Sequence, residues 1–299
     1  MSTWLVTGAG GMLGRDVLGR LATAGVPAVG AARGDLDITG PDTVRAALET
    51  HRPDVVVNCA AWTDVDGAEE HEEAALAVNG AGPRVLAEAC KESGAVLLHV
   101  STDYVFAGDA HEPYAEDAPT GPRSAYGRTK LAGERAVLDL LPETGHVVRT
   151  AWLYGAGGPN FVRTMIRLEA ARDTVDVVDD QRGQPTWSAD LADLLVRLGR
   201  GALAGTVPAG IHHGTSAGET SWYGFTREIF RLLGADPQRV RPTTSAAFVR
   251  PAPRPAYSVL GHQGLRRSGV EPIRDWREAL AEAFPDIVAA ERGMGATGG

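Results

Sequence analysis

The chain has 299 residues, 43% of them hydrophobic and 22% charged, a balance typical of a folded globular protein. Its net charge of −9 argues against nucleic-acid binding, which requires clustered Lys and Arg, and no apolar run approaches the ~20 residues of a membrane span. We therefore expect a cytoplasmic protein with no nucleic-acid or membrane partner. Two cysteines are too few for a disulfide framework, and the eight histidines show no metal-binding spacing, so no metal site is predicted.

In chain order, the first half alternates short apolar runs with amphipathic helical stretches, which is typical of βαβ units and a parallel sheet. The predicted strands cover 3–7, 26–31, 54–59, 95–101 and 146–151. The predicted helices cover 11–24, 41–51, 67–92 and 124–141, followed after Trp152 by a helix near 159–172, a strand at 174–178 and helices near 188–200 and 221–234. The fold class expected is α/β, a Rossmann-type doubly wound parallel sheet with a smaller C-terminal substrate-binding lobe.

The same pattern divides the chain into three parts. Residues 1–151 are predicted to form the dinucleotide-binding core, and residues 152–289 to complete the sheet and form the substrate lobe. The glycine-rich end, residues 290–299, is predicted to be a flexible tail.

Three glycines, Gly8, Gly11 and Gly14, follow the first predicted strand and open the first predicted helix. Such a turn lets backbone amides approach a diphosphate closely, and the positive end of the helix favours the anion. An isolated glycine triplet is as often a plain tight turn. Here Asp35 and Asp37 follow at about the distance of a ribose-binding carboxylate, which favours a dinucleotide site.

Arg33 lies just after the second predicted strand, where the 2′-phosphate of NADPH would bind. A loop arginine without a ligand is the competing interpretation. We predict NADPH as the cofactor, and the sequence leaves use of NADH open.

Tyr126 and Lys130 are four residues apart and thus share one face of a predicted helix. An ammonium ~4 Å from the phenol, at an effective dielectric of ~20, would stabilise the phenolate by ~4 kcal/mol, or roughly three pKa units. Thr102 ends a predicted strand, and ligands of open parallel sheets bind at the carboxyl ends of the strands. Together with the glycine turn, these residues predict a nicotinamide-dependent carbonyl reductase.

The constellation resembles the extended short-chain dehydrogenase/reductase family, and within it the dTDP-4-dehydrorhamnose reductases and related nucleotide-sugar 4-ketoreductases. The resemblance covers nearly the whole chain. The runs that carry it are Thr7-Gly8-Ala9-Gly10-Gly11-Met12-Leu13-Gly14, Leu36-Asp37-Ile38-Thr39, Asn58-Cys59-Ala60-Ala61-Trp62-Thr63-Asp64-Val65-Asp66, Val78-Asn79, Ser101-Thr102-Asp103-Tyr104-Val105-Phe106, Tyr126-Gly127-Arg128-Thr129-Lys130, Arg149-Thr150-Ala151-Trp152-Leu153-Tyr154-Gly155, Asp180-Gln181, Gln184-Pro185-Thr186, Arg254-Pro255 and Ser258-Val259-Leu260.

The resemblance implies three groups of site residues. The catalytic group is Thr102, Tyr126 and Lys130. The cofactor-binding group, with Arg33 added from its position, is Gly8, Gly11, Met12, Leu13, Arg33, Asp37, Ile38, Ala60, Ala61, Tyr126 and Lys130. The substrate-binding group is Thr63, Val65, Thr102, Asp103, Tyr104, Trp152 and Arg254, with Gln184-Pro185-Thr186 beside the nucleotide and Asn79 buttressing the strand ends.

Some relatives form a magnesium-linked dimer through carboxylates, one of which would stand where this chain has Arg15. A metal-bridged dimer is therefore not expected, and the choice between monomer and dimer stays open. The acidic run at 69–73 is interpreted as the solvated cap of a helix.

The function implied is reduction of the C4 ketone of a dTDP-linked 4-keto-6-deoxysugar in deoxysugar biosynthesis. One alternative is a nucleotide-sugar epimerase or dehydratase, although Thr102-Asp103-Tyr104 lacks the adjacent Asp-Glu pair that dehydration would use. The other is a non-catalytic regulatory subunit on the same fold.

Overall fold

The structure, a computed structural model, describes residues 2–295. Its first half is a regular alternation of strands and helices, which confirms the predicted α/β class. The elements in order are β1 (Trp4–Thr7), α1 (Met12–Thr23), β2 (Ala28–Ala31), α2 (Pro41–His51), β3 (Val55–Asn58), α3 (Gly67–Glu70), α4 (Glu72–Leu76), a π-helical turn (Ala77–Ala81), α5 (Gly82–Ser93), β4 (Val96–Thr102), a 3-10 turn (Asp103–Val105), α6 (Ala125–Leu140) and β5 (Gly145–Thr150).

The second half has longer helices joined by short strands. Its elements are β6 (Leu153–Tyr154), α7 (Phe161–Ala171), β7 (Val175–Val178), β8 (Arg182–Gly183), β9 (Thr186–Trp187), α8 (Ser188–Leu203), β10 (Gly210–His213), β11 (Ser216–Ala217), β12 (Thr220–Ser221), α9 (Trp222–Leu232), a 3-10 turn (Pro237–Arg239), β13 (Val240–Thr243), a 3-10 turn (Ser245–Ala247), α10 (Gln263–Arg267), β14 (Ile273–Asp275) and α11 (Trp276–Gly295).

The main sheet has six strands in the order β10-β5-β4-β3-β1-β2, and every neighbouring pair is parallel. Successive side chains of a strand point to opposite faces, so the apolar run of β1 serves two cores. Trp4 and Val6 pack with α1 and α8 on one face, whereas Leu5 packs with α2, α5 and α6 on the other. Because β10 is a strand of this sheet, the second half of the chain contributes directly to the sheet that the first half forms.

A third core lies in the second half of the chain and belongs to the smaller lobe. It is built around Tyr154, Phe225, Phe230, Trp276 and Ile287, all nearly inaccessible to solvent. The residues come from β6, α9 and α11, so the lobe closes only when widely separated segments meet.

One sequence expectation about a helix is wrong. The segment 67–92 is not one helix: the backbone breaks at His71 (φ −131°, ψ 42°) and widens into the π-helical turn just before Pro83. Proline has no amide hydrogen to donate to the preceding turn, so a regular α-helical ladder is interrupted there. The helix α11 continues to Gly295, and Glu291 forms an ion pair with Arg163. The flexibility expected for residues 290–299 stays a prediction. Residues 296–299, the rest of the predicted tail, lie outside the described residues.

No helix within residues 2–295 is both long enough and apolar enough to cross a membrane.

Candidate active site

A cleft of about 1270 Å³ opens at the carboxyl ends of β1, β3, β4 and β5. This is where an open parallel sheet binds ligands. The predicted site residues that line it are Gly8, Gly11, Met12, Leu13, Arg33, Asp37, Ile38, Ala60, Ala61, Thr63, Val65, Thr102, Asp103, Tyr104, Tyr126, Lys130 and Trp152. Arg254, Asn79 and Gln184-Pro185-Thr186 lie outside this lining. We call the part around the glycine turn the cofactor half, and the part formed by 62–65, 102–104 and Trp152 the substrate half.

The glycine turn leaves no room for side chains. Gly8 has a positive φ of 67°, and a Cβ on it would lie 2.7 Å from the amide nitrogen of Ala60. A Cβ on Gly14 would lie 2.4 Å from the carbonyl oxygen of Gly8. The first residues of α1 have neither a side-chain cap nor an acidic residue in the first turn. Their free amides and the helix dipole suit an anion, so these residues fit the diphosphate of a dinucleotide.

Arg33 and Asp37 face the same half of the cleft from the loop after β2. Arg33 is exposed and has no ion pair among residues 2–295. Hydrogen bonding from Thr39 lowers the pKa of Asp37, and the nearby charge of Arg33 lowers it further. Asp35 instead accepts a hydrogen bond from the amide of Ala32 and does not line the cleft. A free guanidinium here fits a 2′-phosphate.

Tyr126 lies in the first turn of α6, and several contacts fix that turn. The Ser124 hydroxyl caps the helix by accepting from the amide of Gly127, at 3.1 Å. Glu69 accepts from the amide of Ala125, at 2.8 Å. The acidic run at 69–73 is therefore more than a solvated cap, because one of its carboxylates holds the start of the helix that carries Tyr126.

A second carboxylate of the acidic run also reaches α6. Glu72 forms a two-point ion pair with Arg128, with distances of 2.8 and 2.7 Å. Asn79, in the π-helical turn, bonds to both the amide and the carbonyl of Trp62 and to the Thr129 hydroxyl. It thus ties the substrate half to α6, and its expected role in supporting the strand ends stays a prediction.

The predicted lowering of the Tyr126 pKa by Lys130 is wrong for this structure. Burial raises the pKa of the Tyr126 phenol to about 12; hydrogen bonding with Thr102 opposes the rise and Asp103 adds to it, while Lys130 is not among the causes. The Lys130 ammonium donates instead to the carbonyl of Val100, at 2.6 Å. Burial lowers the pKa of Lys130 to about 8, opposed by Glu134 and Cys59.

Thr102 stands at the end of β4 with its hydroxyl already engaged. It donates to the carboxylate of Asp103 at 3.0 Å and accepts from the amide of Tyr104 at 3.2 Å. Burial raises the pKa of Asp103 to about 6, opposed by its hydrogen bonds. Tyr104 meets Tyr126 edge-on, with ring centroids 5.6 Å apart. The Thr102 hydroxyl must rotate away from Asp103 before it can donate to a ligand.

Trp152 lines the substrate half of the cleft. Its backbone has a positive φ of 47°, which is a strained conformation for a bulky residue. The indole stacks on that of Trp222 with centroids 3.5 Å apart, and a Cβ on Gly183 would lie 2.5 Å from it. Trp222 donates to the side chain of Gln181 at 3.2 Å. Sequence reasoning did not find Trp222, because no motif marks its position. Trp222 does not line the cleft and reaches it only through Trp152.

Two residues expected beside the nucleotide are used elsewhere. Arg254 pairs with Asp66 at 2.9 Å and so links the loop after Val65 to the 250–255 segment, outside the cleft lining. Gln184 is 2% exposed, and its side-chain amide forms hydrogen bonds with Ser216, Thr215 and Leu260. The side chain of Gln184 therefore uses its polar atoms inside the protein, whereas the expectation that the Gln184-Pro185-Thr186 loop helps to hold the nucleotide stays a prediction.

Sequence reasoning also missed part of the cofactor half. Gly157, Gly158 and Pro159, between β6 and α7, line the cleft next to Met12. The glycine cluster after Tyr154 was the available signal. Within residues 2–295 there is no cluster of three or more His, Cys, Asp or Glu side chains placed to hold a metal ion.

Comparison with known proteins finds one family model and several similar proteins. The family model described as RmlD substrate binding domain matches residues 2–288. A curated dTDP-4-dehydrorhamnose reductase of Streptomyces griseus is 64% identical over 95% of this chain and 93% of its own. A dTDP-4-keto-6-deoxy-D-glucose reductase of Streptomyces niveus is 56% identical over 288 residues, which are 96% of this chain and 98% of its own. A dTDP-4-dehydrorhamnose reductase of Bacillus anthracis, solved in complex with NADP, superposes with a TM-score of 0.90 at 36% identity and covers 95% of this chain and 99% of its own.

Proposed function

The chain belongs to the RmlD substrate binding domain family, and from this membership and the geometry of its cleft we propose how it handles a dTDP-linked 4-keto-6-deoxysugar. It is an oxidoreductase that reduces the C4 ketone of such a sugar with NADPH. The observation that carries the residue assignment is the placement of Thr102, Tyr126 and Lys130 in one cleft with the glycine turn.

In the proposed arrangement, the free amides at the start of α1 bind the diphosphate of NADPH and Arg33 binds its 2′-phosphate. Lys130, which already donates to Val100, also donates to the nicotinamide ribose. When bound, NADPH supplies the hydride that reduces the carbonyl carbon. The other steps belong to the protein side chains.

Tyr126 is the proposed proton donor. Its raised pKa keeps the phenol protonated at neutral pH, so the hydrogen is available to the oxygen that becomes the alcohol. Thr102, once its hydroxyl has turned from Asp103, donates to the same oxygen and holds the ketone in position. Hydrogen bonds aimed at an oxygen that gains negative charge are a major source of rate enhancement. The tyrosinate left after transfer takes a proton from solvent.

Trp152 is the proposed platform for the sugar ring. A flat indole suits the apolar face and methyl group of a deoxysugar, and the polar side chains of Thr63, Asp103 and Tyr104 lie in the same half of the cleft for its hydroxyls. We assign Arg254 an indirect role, because its ion pair with Asp66 holds the loop that carries Thr63 and Val65. In this proposal the first half binds the cofactor and the lobe of residues 152–289 closes over the sugar.

The test is a purified-enzyme assay. The protein, NADPH and either dTDP-4-dehydrorhamnose or dTDP-4-keto-6-deoxyglucose are combined, NADPH oxidation is followed by absorbance, and the product is identified by NMR. We expect ketone-dependent oxidation and a C4 alcohol. Absence of turnover with both sugars, with NADPH binding intact, would contradict the proposed substrate.

A further inference from the structure

The cofactor half of the cleft has a second wall opposite the glycine turn. It is the segment Gly155–Pro159, whose Gly157, Gly158 and Pro159 line the cleft. A Cβ on Gly157 would lie 3.4 Å from the Cα of Met12, and one on Gly158 would lie 3.7 Å from its Cβ. Since Met12 is the first residue of α1, this wall borders the site that the diphosphate would occupy.

Asn160 holds the wall through its side-chain amide. The Nδ2 atom donates to the carbonyl of Gly155 at 2.7 Å and to that of Gly158 at 2.9 Å, and it lies 3.9 Å from the sulfur of Met12. Its Oδ1 atom accepts from the amide of Arg163 at 3.3 Å and so caps α7. One side chain therefore connects both walls of the cleft to the first turn of α7.

Arg163 is 4% exposed and reaches the wall from the other side. Its guanidinium lies 3.4 Å from the carbonyls of Ala156 and Gly158. The same group forms an ion pair with Glu291 of α11 at 2.6 Å. A buried arginine is retained only with its hydrogen bonds satisfied, so the C-terminal helix fixes the position of this side chain and, through it, the wall.

We propose that Asn160 and Arg163 are positioning residues for NADPH. They hold Gly155–Pro159 against Met12 so that the diphosphate is enclosed from both sides, and Glu291 anchors this support at the end of the chain. The inference rests on the NADPH site described above. It predicts that side chains outside the cleft lining set affinity for the cofactor and leave affinity for the sugar nucleotide unchanged.

The first variant is Asn160→Ser, because serine also caps helices and the substitution removes the donor to Gly155 and Gly158 without adding charge. The second is Arg163→Gln, with Arg167→Gln as its matched control. Arg167 pairs with the same Glu291 at 3.3 Å but makes no contact with the wall. Binding of NADPH is measured by its fluorescence. Binding of adenosine 2′-monophosphate, which lacks the diphosphate, and of dTDP is measured by calorimetry, and each melting temperature is recorded.

We expect Asn160→Ser and Arg163→Gln each to raise the Kd of NADPH about five- to tenfold, since each removes hydrogen bonds of modest net worth. The Kd values for adenosine 2′-monophosphate and dTDP should stay unchanged, and Arg167→Gln should match the wild type with all three ligands. Unchanged NADPH affinity in both variants would overturn the inference. An equal loss of affinity for all three ligands would also overturn it, because it indicates a general loss of structural order in the protein. Failure of the wild type to bind NADPH would instead refute the cofactor assignment on which the inference rests.

Discussion

The cofactor half and the substrate half of the cleft are built in different ways. The cofactor half is made largely of backbone, in a turn where Gly8 and Gly14 leave no space for a side chain. The substrate half is made of side chains from separate segments, including Thr63, Thr102 and Trp152, and Trp152 stacks on Trp222 from a distant part of the chain. A backbone turn can bind any ligand that carries the same diphosphate. Side chains, in contrast, can be replaced one at a time by mutation. The substrate half is thus where relatives with one fold can differ in the sugar they reduce.

The largest expected effect tests whether Tyr126, which lies on α6 beside both halves, supplies the proton in the reaction. Tyr126→Phe removes only the hydroxyl that we propose donates the proton, so kcat should fall by about 10²–10⁴ with the Kd of NADPH unchanged. Stopped-flow or steady-state assays of NADPH oxidation give kcat, and NADPH fluorescence gives the Kd. A kcat near that of the wild type would remove Tyr126 from the mechanism.

The next effect tests the independence of the two halves. Trp152→Ala removes the sugar platform and should weaken binding of the ketosugar by about 1–3 kcal/mol, with little change for NADPH. Trp152→Phe, which keeps an aromatic ring, should retain most of the affinity. Calorimetry with the substrate or with dTDP-rhamnose provides the measurement, and thermal melting is recorded beside it.

Trp152 also packs on Trp222, so its removal has a structural consequence that must be separated from binding. If the alanine variant melts much earlier while its folded fraction binds sugar normally, the residue belongs to the core and the platform assignment fails.

A smaller effect is expected for Arg33 in the cofactor half. Arg33→Ala should raise the KM for NADPH about tenfold and leave the KM for NADH unchanged, because only NADPH has the 2′-phosphate to which the guanidinium binds. Arg15→Ala is the matched control, since Arg15 is also exposed and lies on α1 but outside the cleft lining. Equal changes for both cofactors would make Arg33 an ordinary loop residue.

The smallest effect concerns pH. Burial lowers the pKa of Lys130 to about 8 in the free protein, and only the protonated amine can serve as an ammonium donor to the ribose. As the pH rises through about 8 the proton is lost, so the affinity for NADPH should decline, by at most about tenfold per pH unit. Fluorescence titrations between about pH 6.5 and 9.5 measure it. A flat profile, or the same slope in Lys130→Met, would show that Lys130 does not contact the cofactor.

Local sequence predicts the glycine-turn side of the cofactor half, because the glycine turn and its helix occupy one short segment, but it misses Gly157, Gly158 and Pro159. It also brings Thr102, Tyr126 and Lys130 together, since the end of β4 and the start of α6 are adjacent in any such sheet. The sequence does not predict which acceptor each hydrogen-bond donor meets in the folded protein. Lys130 was expected to act on the phenol, but the nearest acceptor it meets is the carbonyl of Val100, which only the folded chain places there.

The supports of the substrate half depend on contacts between residues far apart in sequence. The pairs Trp152–Trp222 and Asp66–Arg254 carry no local pattern, and a buried Gln184 looks the same in sequence as one that binds a ligand. The glycines after residue 290 likewise do not reveal that Glu291 has a buried partner in α7. Tertiary contacts override composition in each case.

The π-helical turn at Ala77–Ala81 lets one continuous stretch of helix serve two neighbours. Each residue of an α-helix advances the side chains by about 100°, so the wider turn shifts the rotational phase of everything that follows. Before it and within it, Ala74, Ala77 and Val78 border the cleft, whereas after it Leu86 and Cys90 face the sheet. A uniform helix with this sequence would have to turn one of these two sets toward solvent.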